Sequence, residues 1–515
     1  MTEYSKYIFL ENLRQRLERV PMLKVLVPLV AGILLADVVT LPLWGVAIGF
    51  VVCAGMGVVL RRRGVADVYI VVALMLAGFM SAEVRCSFAS LPSERTTMEV
   101  VVENITAKRE RTTHADGHLV AYATAQGTRR SRAEVRLSVS PEVEISRGDR
   151  LLVNATLRPF TEEESYGRYM LSRGVAGTLY VSKENLLQQS SHPPIGARLH
   201  SVAVERLQRL GLAPANQAVV MAMSIAERSG ITPTLRRSYS LGGAAHLLAV
   251  SGLHIGFVCV MANLLLSLLL LLRHGQVVRS ALVVILIWLF AAIAGFTPSI
   301  VRAAVMFSVL QLSLLFGSRT DVLNTLCFTA FAMLAWDARV LHDAGFQLSF
   351  IAVAAIVEWA IPLISKNYRR LLARAAHWLL SAVVVSAVAA LATLPLTAYL
   401  FGTVSLWSVV TGAIMVALSA VTVGAAMLWI LCPIGVLQGV MAWLLTDATN
   451  AMNTLAEWCA TQGLLAAEVS VDGWICWGVY GIMVTATIIV WATRRRNYRK
   501  NTIFAARKEI IIESK

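Results

Sequence analysis

The chain has 515 residues, of which 57% are hydrophobic and only 15% charged, and it carries a formal net charge of +15. Globular domains average about half apolar and a quarter charged, so the balance excludes a soluble chain with amphipathic covers and predicts a polytopic membrane protein. The excess charge points first to topology and only then to a polyanionic partner, because Lys and Arg collect in cytoplasmic loops. The basic clusters fall at Arg14 to Lys24, Arg61 to Arg63, Arg273 to Arg279, Lys366 to Arg374 and Arg494 to Lys500.

The N-terminus is long, charged and followed by a full spanning stretch, which reads as an anchor and not as a cleavable signal. Spans near 25–40, 42–60 and 65–83 put the N-terminus and Arg61 to Arg63 inside, and send the chain outside after Val84. Residues 96–185 then change character: MEVVVENI, HLVAYATA, AEVRLSVS and DRLLVNATLRP alternate, with turns expected at Ala115–Gly117, Gln126–Gly127 and Arg147–Asp149. About five short strands predict a small extracytoplasmic β-barrel of OB-like type, an architecture that often holds oligonucleotides. Lys108, Arg109 and Arg111 precede one hairpin, Arg129, Arg130, Arg132 and Arg136 precede another strand, and Tyr122 lies between them. Cations that track a backbone, with an aromatic for stacking, would bind a single strand. Glu99, Glu103, Glu110, Glu134 and Glu162 to Glu164 offset that charge, so a solvated loop stands beside the groove as an alternative.

Residues 196–210 have helical period, with Leu199, Val202, Leu207 and Leu210 on one face and Arg198, Glu205 and Arg209 on another. This amphipathic helix has three open placements: on the outer membrane surface, beneath the barrel, or against a copy of itself. Further spans are placed near 247–272, 280–296, 298–317, 322–336, 345–364, 377–400, 404–431 and 471–492. A more ambiguous one near 434–460 brings the total to twelve and keeps the basic tail inside. The units expected are 1–83 (tail and three helices), 84–192 (β-domain), 193–240 (connecting helices), 241–492 (helical transmembrane domain) and 493–515 (basic cytoplasmic tail). The seven cysteines form no CxxC or Cys/His pattern, so no metal site is expected and they read as small buried hydrophobes.

Three polar patches interrupt the apolar runs. HLLAVSGLHIGF, residues 246–257, carries His246, Ser251, Gly252 and His254, and with Gly242 and Gly243 before it predicts a bent or unwound segment, tolerated only against protein or water. GFTPSIVRAAV, residues 295–305, has Pro298 and an intramembrane Arg302 that must snorkel, pair or face water. ARVLHDAGFQLSF, residues 338–350, brings His342 and Asp343 to an outer loop and Gln347 and Ser349 into the next span, with Asp343 placed to neutralise Arg302. The bland reading makes His246 a surface group and His254 a packing histidine.

HLLAVSGLHIG, preceded by ERSGITPTLRRSY and followed in order by GFTPSIVRAAVM and GFQLSF, resembles the ComEC family of competence DNA-uptake channels, from about Asn216 to Ile364. The stretches RGDRLLVNATLRPF and YMLSRGVAGTLYV resemble that family's OB-like domain. The resemblance implies an inner-membrane channel that conducts single-stranded DNA into the cytoplasm during natural transformation. It places His246, Ser251, Gly252, His254, Pro298, Arg302, Gln347 and Ser349 at family positions, with Arg302 suited to phosphate and the histidines holding the broken helix or lining the path. Implied partners are single-stranded DNA, membrane lipids, a DNA receptor, a separate nuclease and a cytosolic ATP-driven motor, with a homo-oligomer as an open alternative to a single copy of the chain. No catalytic residue and no cofactor is expected.

Two departures stand out. Many members carry a C-terminal metallo-β-lactamase-like domain with an HxHxDH motif, which does not occur in this sequence, so no nuclease activity is expected of it. The segment before RSG often reads GD in the family, where this chain has Ala226 and Glu227, leaving that turn's role open. Two other classes compete. AVSG is similar to the nucleophile setting of rhomboid-like intramembrane serine proteases, with Ser251 as nucleophile and His254 or His342 as base, but Ala249 replaces a glycine and no oxyanion motif precedes it. A solute or lipid transporter needs only the spans. No GxxxxGK[ST] loop occurs, so ATP use would fall to another protein.

Overall fold

A computed structural model describes residues 18–60, 65–86, 91, 94–108, 112–124, 127–131, 133–161, 167, 170–171, 174–191, 193–315, 321–364, 371–431, 435–462, 466–469 and 471–490. Three helices come first: α1 (Pro21–Ala36), α2 (Leu43–Val59) and α3 (Ala66–Cys86). The β-domain has strands β1 (Thr96–Lys108), β2 (Thr113–Thr124), β3 (Gly127–Arg130), β4 (Glu134–Val139), β5 (Asp149–Ala155), β6 (Leu157–Pro159), β7 (Val175–Val181) and β8 (Leu186–Ser191). Next come α4 (Ile195–Gln208), α5 (Pro214–Ile225), α6 (Pro233–Leu241), α7 (Gly252–Leu265), α8 (Gly275–Ile293), α9 (Pro298–Leu315), α10 (Val322–Trp336) and α11 (Ala344–Ala355). A π turn at Ile356–Ala360 carries α11 on to Ile364, and α12 (Leu371–Phe401), β9 (Thr403–Ser405), α13 (Trp407–Leu431), α14 (Gly435–Gln462), β10 (Ala466–Glu468) and α15 (Gly473–Val490) complete the described elements.

Among the described residues, seven helices are long and apolar enough to cross a membrane: Ala66–Glu83, Gly252–Leu271, Gly275–Ile293, Ala344–Ile364, Leu380–Phe401, Thr411–Leu431 and Gly473–Val490. Four shorter apolar helices, 21–36, 43–59, 299–315 and 322–336, occupy other expected spans. The ambiguous stretch near 434–460 forms the long helix α14, which packs along α13 but leaves Asp447 and Glu457 exposed. Lipid tails compete equally for apolar side chains, so bundle packing relies on close approach of small residues. A Cβ at Gly32 would meet the Met75 carbonyl and one at Gly78 the Leu29 carbonyl, which is how α1 and α3 come together. The free cysteines Cys259, Cys327, Cys459 and Cys476 are buried, as small hydrophobes should be.

The β-domain sheet runs β6-β7-β4-β2-β1-β5-β8, with β3 on β2. Neighbours are antiparallel except β4 and β7, which are parallel. Its core is the alternating set Met98, Val100, Leu119, Leu137, Leu151, Val153 and Leu179. The ladder does not close into a barrel. Its β6 end follows β5 through the single residue Thr156, so a bent strand curls the sheet without completing a ring of hydrogen bonds. Eight strands replace the five expected. The turn expected at Ala115–Gly117 is absent: β2 runs straight through it, because a Cβ at Gly117 would meet the Val101 carbonyl and the glycine serves close strand approach instead.

The amphipathic helix packs within the bundle. α4 lies against α5, α8 and α13, with His200 Nδ1 on the Ile293 carbonyl at 2.9 Å and the Arg206 guanidinium donating to the Ile430 carbonyl. Beside it, a buried polar chain ties α5 and α6 to α14. Tyr239 donates to Asn453 Oδ1 at 2.8 Å, Asn453 donates to Asn216 Oδ1 at 2.8 Å, and Asn216 donates to Asn450 Oδ1 at 2.7 Å.

Candidate functional site

The polar patch does not form one helical edge. Residues 245–248 make a 3-10 turn, Ala249 is extended, and α7 starts only at Gly252, so the expected unwinding is present. His246 is exposed on the turn while Leu247 and Leu248 beside it are buried. Ser299 Oγ at the start of α9 donates to the Val250 carbonyl at 2.8 Å and pins the unwound segment.

Ser251 and His254 do meet, as a helix cap. Ser251 N donates to His254 Nδ1 at 2.8 Å, and the Ser251 hydroxyl lies 3.1 Å from the same nitrogen. This satisfies an orphan amide at the N-terminus of α7. It also argues against the nucleophile–base pair, because the lone pair that a base needs is directed at Ser251's own amide. The same bond sets the tautomer: with Nδ1 accepting, the proton sits on Nε2, which is buried without a partner.

The glycines of the patch pack α7 on α9. A Cβ at Gly252 would touch Ala303 at 3.5 Å, one at Gly256 would lie 3.1 Å from Phe307, and Cys259 Sγ accepts from Gln311 Nε2 at 3.4 Å. The two helices therefore run parallel with SGLHIG as their seam. Gln311 Oε1 is buried and unpartnered.

Arg302 is 4% exposed, and its Nη1 has no hydrogen-bond partner. Its guanidinium lies 5.8 Å from the centroid of the Phe350 ring on α11, and Phe350 stacks on Phe346 at 4.3 Å. The expected pairing with Asp343 is not made. Asp343 faces Arg302 electrostatically, but its carboxylate accepts from Phe346 N at 2.9 Å and caps α11. Gln347 is likewise committed, donating to the Leu341 carbonyl at 2.9 Å, and Ser349 is half-buried beside Phe350. His342 pairs with Asp37 at 3.3 Å, which removes it from the base role. Pro298 opens α9.

Helices α7, α9, α11, α12 and α13 contact one another in sequence and α13 returns to α7, so Arg302 and Phe350 lie in a ring of five. Sequence reasoning missed Phe346 and Phe350, which as residue types are ordinary for an apolar span, and Gln311, whose amide within the apolar run VLQLSLL was the signal that could have found it.

In the β-domain, Arg129 and Arg130 are exposed on β3. Tyr122, by contrast, is 5% exposed within the sheet core and cannot stack on a base; its position in β2 points it inward. Arg136 is half-buried, 3.9 Å from Asp116. Arg109, Arg111 and Arg132 lie outside the described residues, as does the Lys108 side chain.

The β-domain meets the bundle at two arginines. Arg147 donates to the Glu103 carbonyl at 3.1 Å and to the Ile293 carbonyl at 3.2 Å, the same oxygen that His200 takes. His200 Nε2 lies 3.3 Å from Glu227, which also accepts from Ser229 N at 3.0 Å. Burial raises the Glu227 carboxyl, but the hydrogen bonds of His200 and Ser229 outweigh it and hold the group down at about 2. Ala226 beside it has φ 62, in the left-handed region that favours glycine, so the alanine of this turn is held in a strained conformation. The second arginine, Arg339, contacts Asp337 at 2.9 Å and Glu134 of β4 at 3.3 Å.

No solved structure matches the chain. ComE operon protein 3 of Bacillus subtilis (strain 168) is 28% identical over 205 residues, which is 40% of this chain and 25% of the relative's length. The broken segment, the α7–α9 seam and the Arg302–Phe350 contact all fall within residues 223–496, which match the Competence protein family model over more than half of the chain; the protein belongs to that family.

Proposed function

We propose that this protein conducts single-stranded DNA across the inner membrane into the cytoplasm, through the five-helix ring that holds Arg302. The observation that carries this is the pair of unmet donors on neighbouring helices. Arg302 Nη1 and His254 Nε2 are both buried in apolar spans without an acceptor, and such groups are too costly to keep without a use. Phosphodiester oxygens are acceptors of the right kind, guanidinium suits them bidentately, and Phe350 offers a face on which an unpaired base can stack. Arg129 and Arg130 on β3 extend a cationic surface outside the bundle. Family membership supports a role in DNA uptake. A receptor, a separate nuclease and a motor would supply capture, strand degradation and energy.

The test is transformation with labelled DNA in a deletion strain complemented by variants, scoring surface-bound against cytoplasmic strands. Arg302→Ala should lower cytoplasmic strands roughly 10- to 100-fold, the cost of one charged hydrogen-bonded contact, at unchanged membrane abundance. Normal entry of DNA in the deletion strain would falsify the channel reading. Loss of abundance in Arg302→Ala would make the arginine structural.

A further inference from the structure

We infer that Arg228 and Arg236, on the loop and helix that follow α5, form a phosphodiester-binding site that receives the DNA strand ahead of Arg302. The inference deepens the conduction reading and rests on it for the identity of the ligand. It concerns the stretch ERSGITPTLRRSY, residues 227–239, which carries part of the resemblance but has no task in the ring.

Local structure fixes the loop. α5 ends at Ala226, Glu227 N donates back to the Met221 carbonyl at 3.2 Å, and Ile231 N donates to the Arg228 carbonyl at 3.1 Å. A Cβ on Gly230 would lie 3.1 Å from that of Ala218, so the loop is packed against α5. Thr232 then caps α6, its hydroxyl accepting from Leu235 N at 3.2 Å. The backbone of Arg228 is held on both sides, and its side chain is left uncommitted.

Arg228 is half-buried with its Nε enclosed, and no acceptor among the described residues bonds its guanidinium. The one carboxylate of the stretch, Glu227, is taken by His200 and Ser229. α6 has no acidic residue in its first turn, and Arg236 on it is exposed. Burial and the charge of Arg236 together hold the Arg228 guanidinium below its ordinary value. Two cations that oppose each other, one with an enclosed donor unmet, call for an anion between them. Arg237, about 100° further round α6, adds no repulsion to Arg228.

Position says which anion. His200, which holds Glu227, shares the Ile293 carbonyl with Arg147 of the β-domain. Ala226 packs against the cluster of Val250, Ile300, Ala303 and Ala304, which flanks Arg302 along α9. The arginine pair thus lies where the β-domain meets the helices that carry Arg302. An unpaired strand brings one singly charged phosphodiester per nucleotide, with two oxygens free to accept, one for each guanidinium. Such contacts leave the bases unread, so the site binds without sequence preference.

Fluorescence anisotropy of a labelled polythymidine oligonucleotide, with the full-length protein in neutral detergent, tests this. Arg228→Ala and Arg236→Ala should each weaken binding roughly 10-fold. Each should also make the fall of log affinity with log salt shallower by about 0.7, the value of one phosphate contact on a single strand. Arg237→Ala removes the same charge from the same helix and should change both far less. Phosphatidylglycerol in mixed micelles offers the same diester on a lipid, and it should bind the parent and the variants alike. Oligonucleotide binding that is unchanged in both single variants overturns the proposal. An Arg237→Ala loss as large as that of Arg236→Ala does so too, because it would show a diffuse field and no site. Lipid binding lost with oligonucleotide binding intact would make the pair a headgroup site. Should Arg228→Ala fail to accumulate, Arg236→Ala at its exposed position decides alone. The assay reads binding only, so its result stands even if the deletion strain imports DNA normally. Conversely, variants that bind and import as the parent does remove this site and leave the conduction reading intact.

Discussion

His254 and Glu227 show how differently a buried titratable group can be used in this chain. His254 is buried and neutral, its Nδ1 closing a cap, whereas Glu227 is held ionised by His200 and Ser229. For Glu227 the sign of the pH dependence is fixed by the depressed carboxyl. The folded protein holds it at about 2 against an ordinary 4.5. Its contribution is therefore present above pH 4.5 and is lost as pH falls toward 2; at about 1.4 kcal/mol per unit this is roughly 3 kcal/mol. In thermal unfolding of the detergent-solubilised chain, Glu227→Gln should be less stable than the parent at pH 7, and the gap should narrow as pH approaches 3. A gap that is constant with pH would mean that Glu227 acts by shape and not by charge. The sequence pointed to where polar side chains gather but not to their roles. Ser251, His254, Asp343 and Gln347 were all legible as costly groups in apolar runs, and three of them turned out to serve caps. Whether a polar side chain finds its acceptor in its own backbone depends on local dihedrals, such as the extended Ala249 and the 3-10 turn before it, which residue type alone does not reveal.

At the level of the helix, SGLHIG is a packing device before it is a chemical one. Gly252 and Gly256, four residues apart, present one smooth strip to Ala303 and Phe307 of α9, and in lipid such strips replace the missing hydrophobic drive. Gly256→Leu should push Phe307 away, part the upper α7–α9 seam and cost about 1–3 kcal/mol as overpacking does. A lowered midpoint in thermal unfolding, with reduced abundance in membranes, is the expected result. Gly439 of α14 is the control: nothing lies within 4 Å of an added Cβ, so Gly439→Ala should be neutral or gain up to about 1 kcal/mol. Equal effects of the two would mean that the seam is not special. Helix existence was legible from hydropathy, and the break before Gly252 from its glycines. Helix pairing was not, because the partners of α7 are set by non-local register, and Phe307 looks like any other residue of an apolar run. The strands were legible by alternation, but the continuity of β2 through Gly117 was hidden. A glycine reads as a turn until the opposing carbonyl of Val101 is seen.

Taken whole, the molecule seats a curled sheet on one end of a helical ring, and two arginines hold it there from opposite sides. Arg147 reaches from the β-domain to the corner between α8 and α9, where Gly295 and Phe296 have φ of 87 and 52 and lead directly into Pro298 and Arg302. Arg339 reaches the other way, from the turn before α11 to Glu134. Hydrogen bonds and charge from Asp337 and Glu134 hold the Arg339 guanidinium above its ordinary value against burial. Each arginine thus ties the sheet to a loop that positions one side of the Arg302–Phe350 contact, so the seating of the sheet and the geometry of that contact should not be independent. Removing Arg339 tests this. Arg339→Ala leaves Asp337 and Glu134 without their cation, a loss of about 1–3 kcal/mol for a partly buried pair, while the sheet's own core of Leu119, Leu137 and Leu151 is untouched. Hydrogen exchange should accelerate in residues 338–346 and at the start of β4, with the central amides of β1 and β2 unchanged. Acceleration throughout the sheet would mean that Arg339 supports the β-domain fold itself. If no segment accelerates, Arg147 alone suffices to seat the sheet, and the link from the β-domain to the ring runs through the α8–α9 corner only.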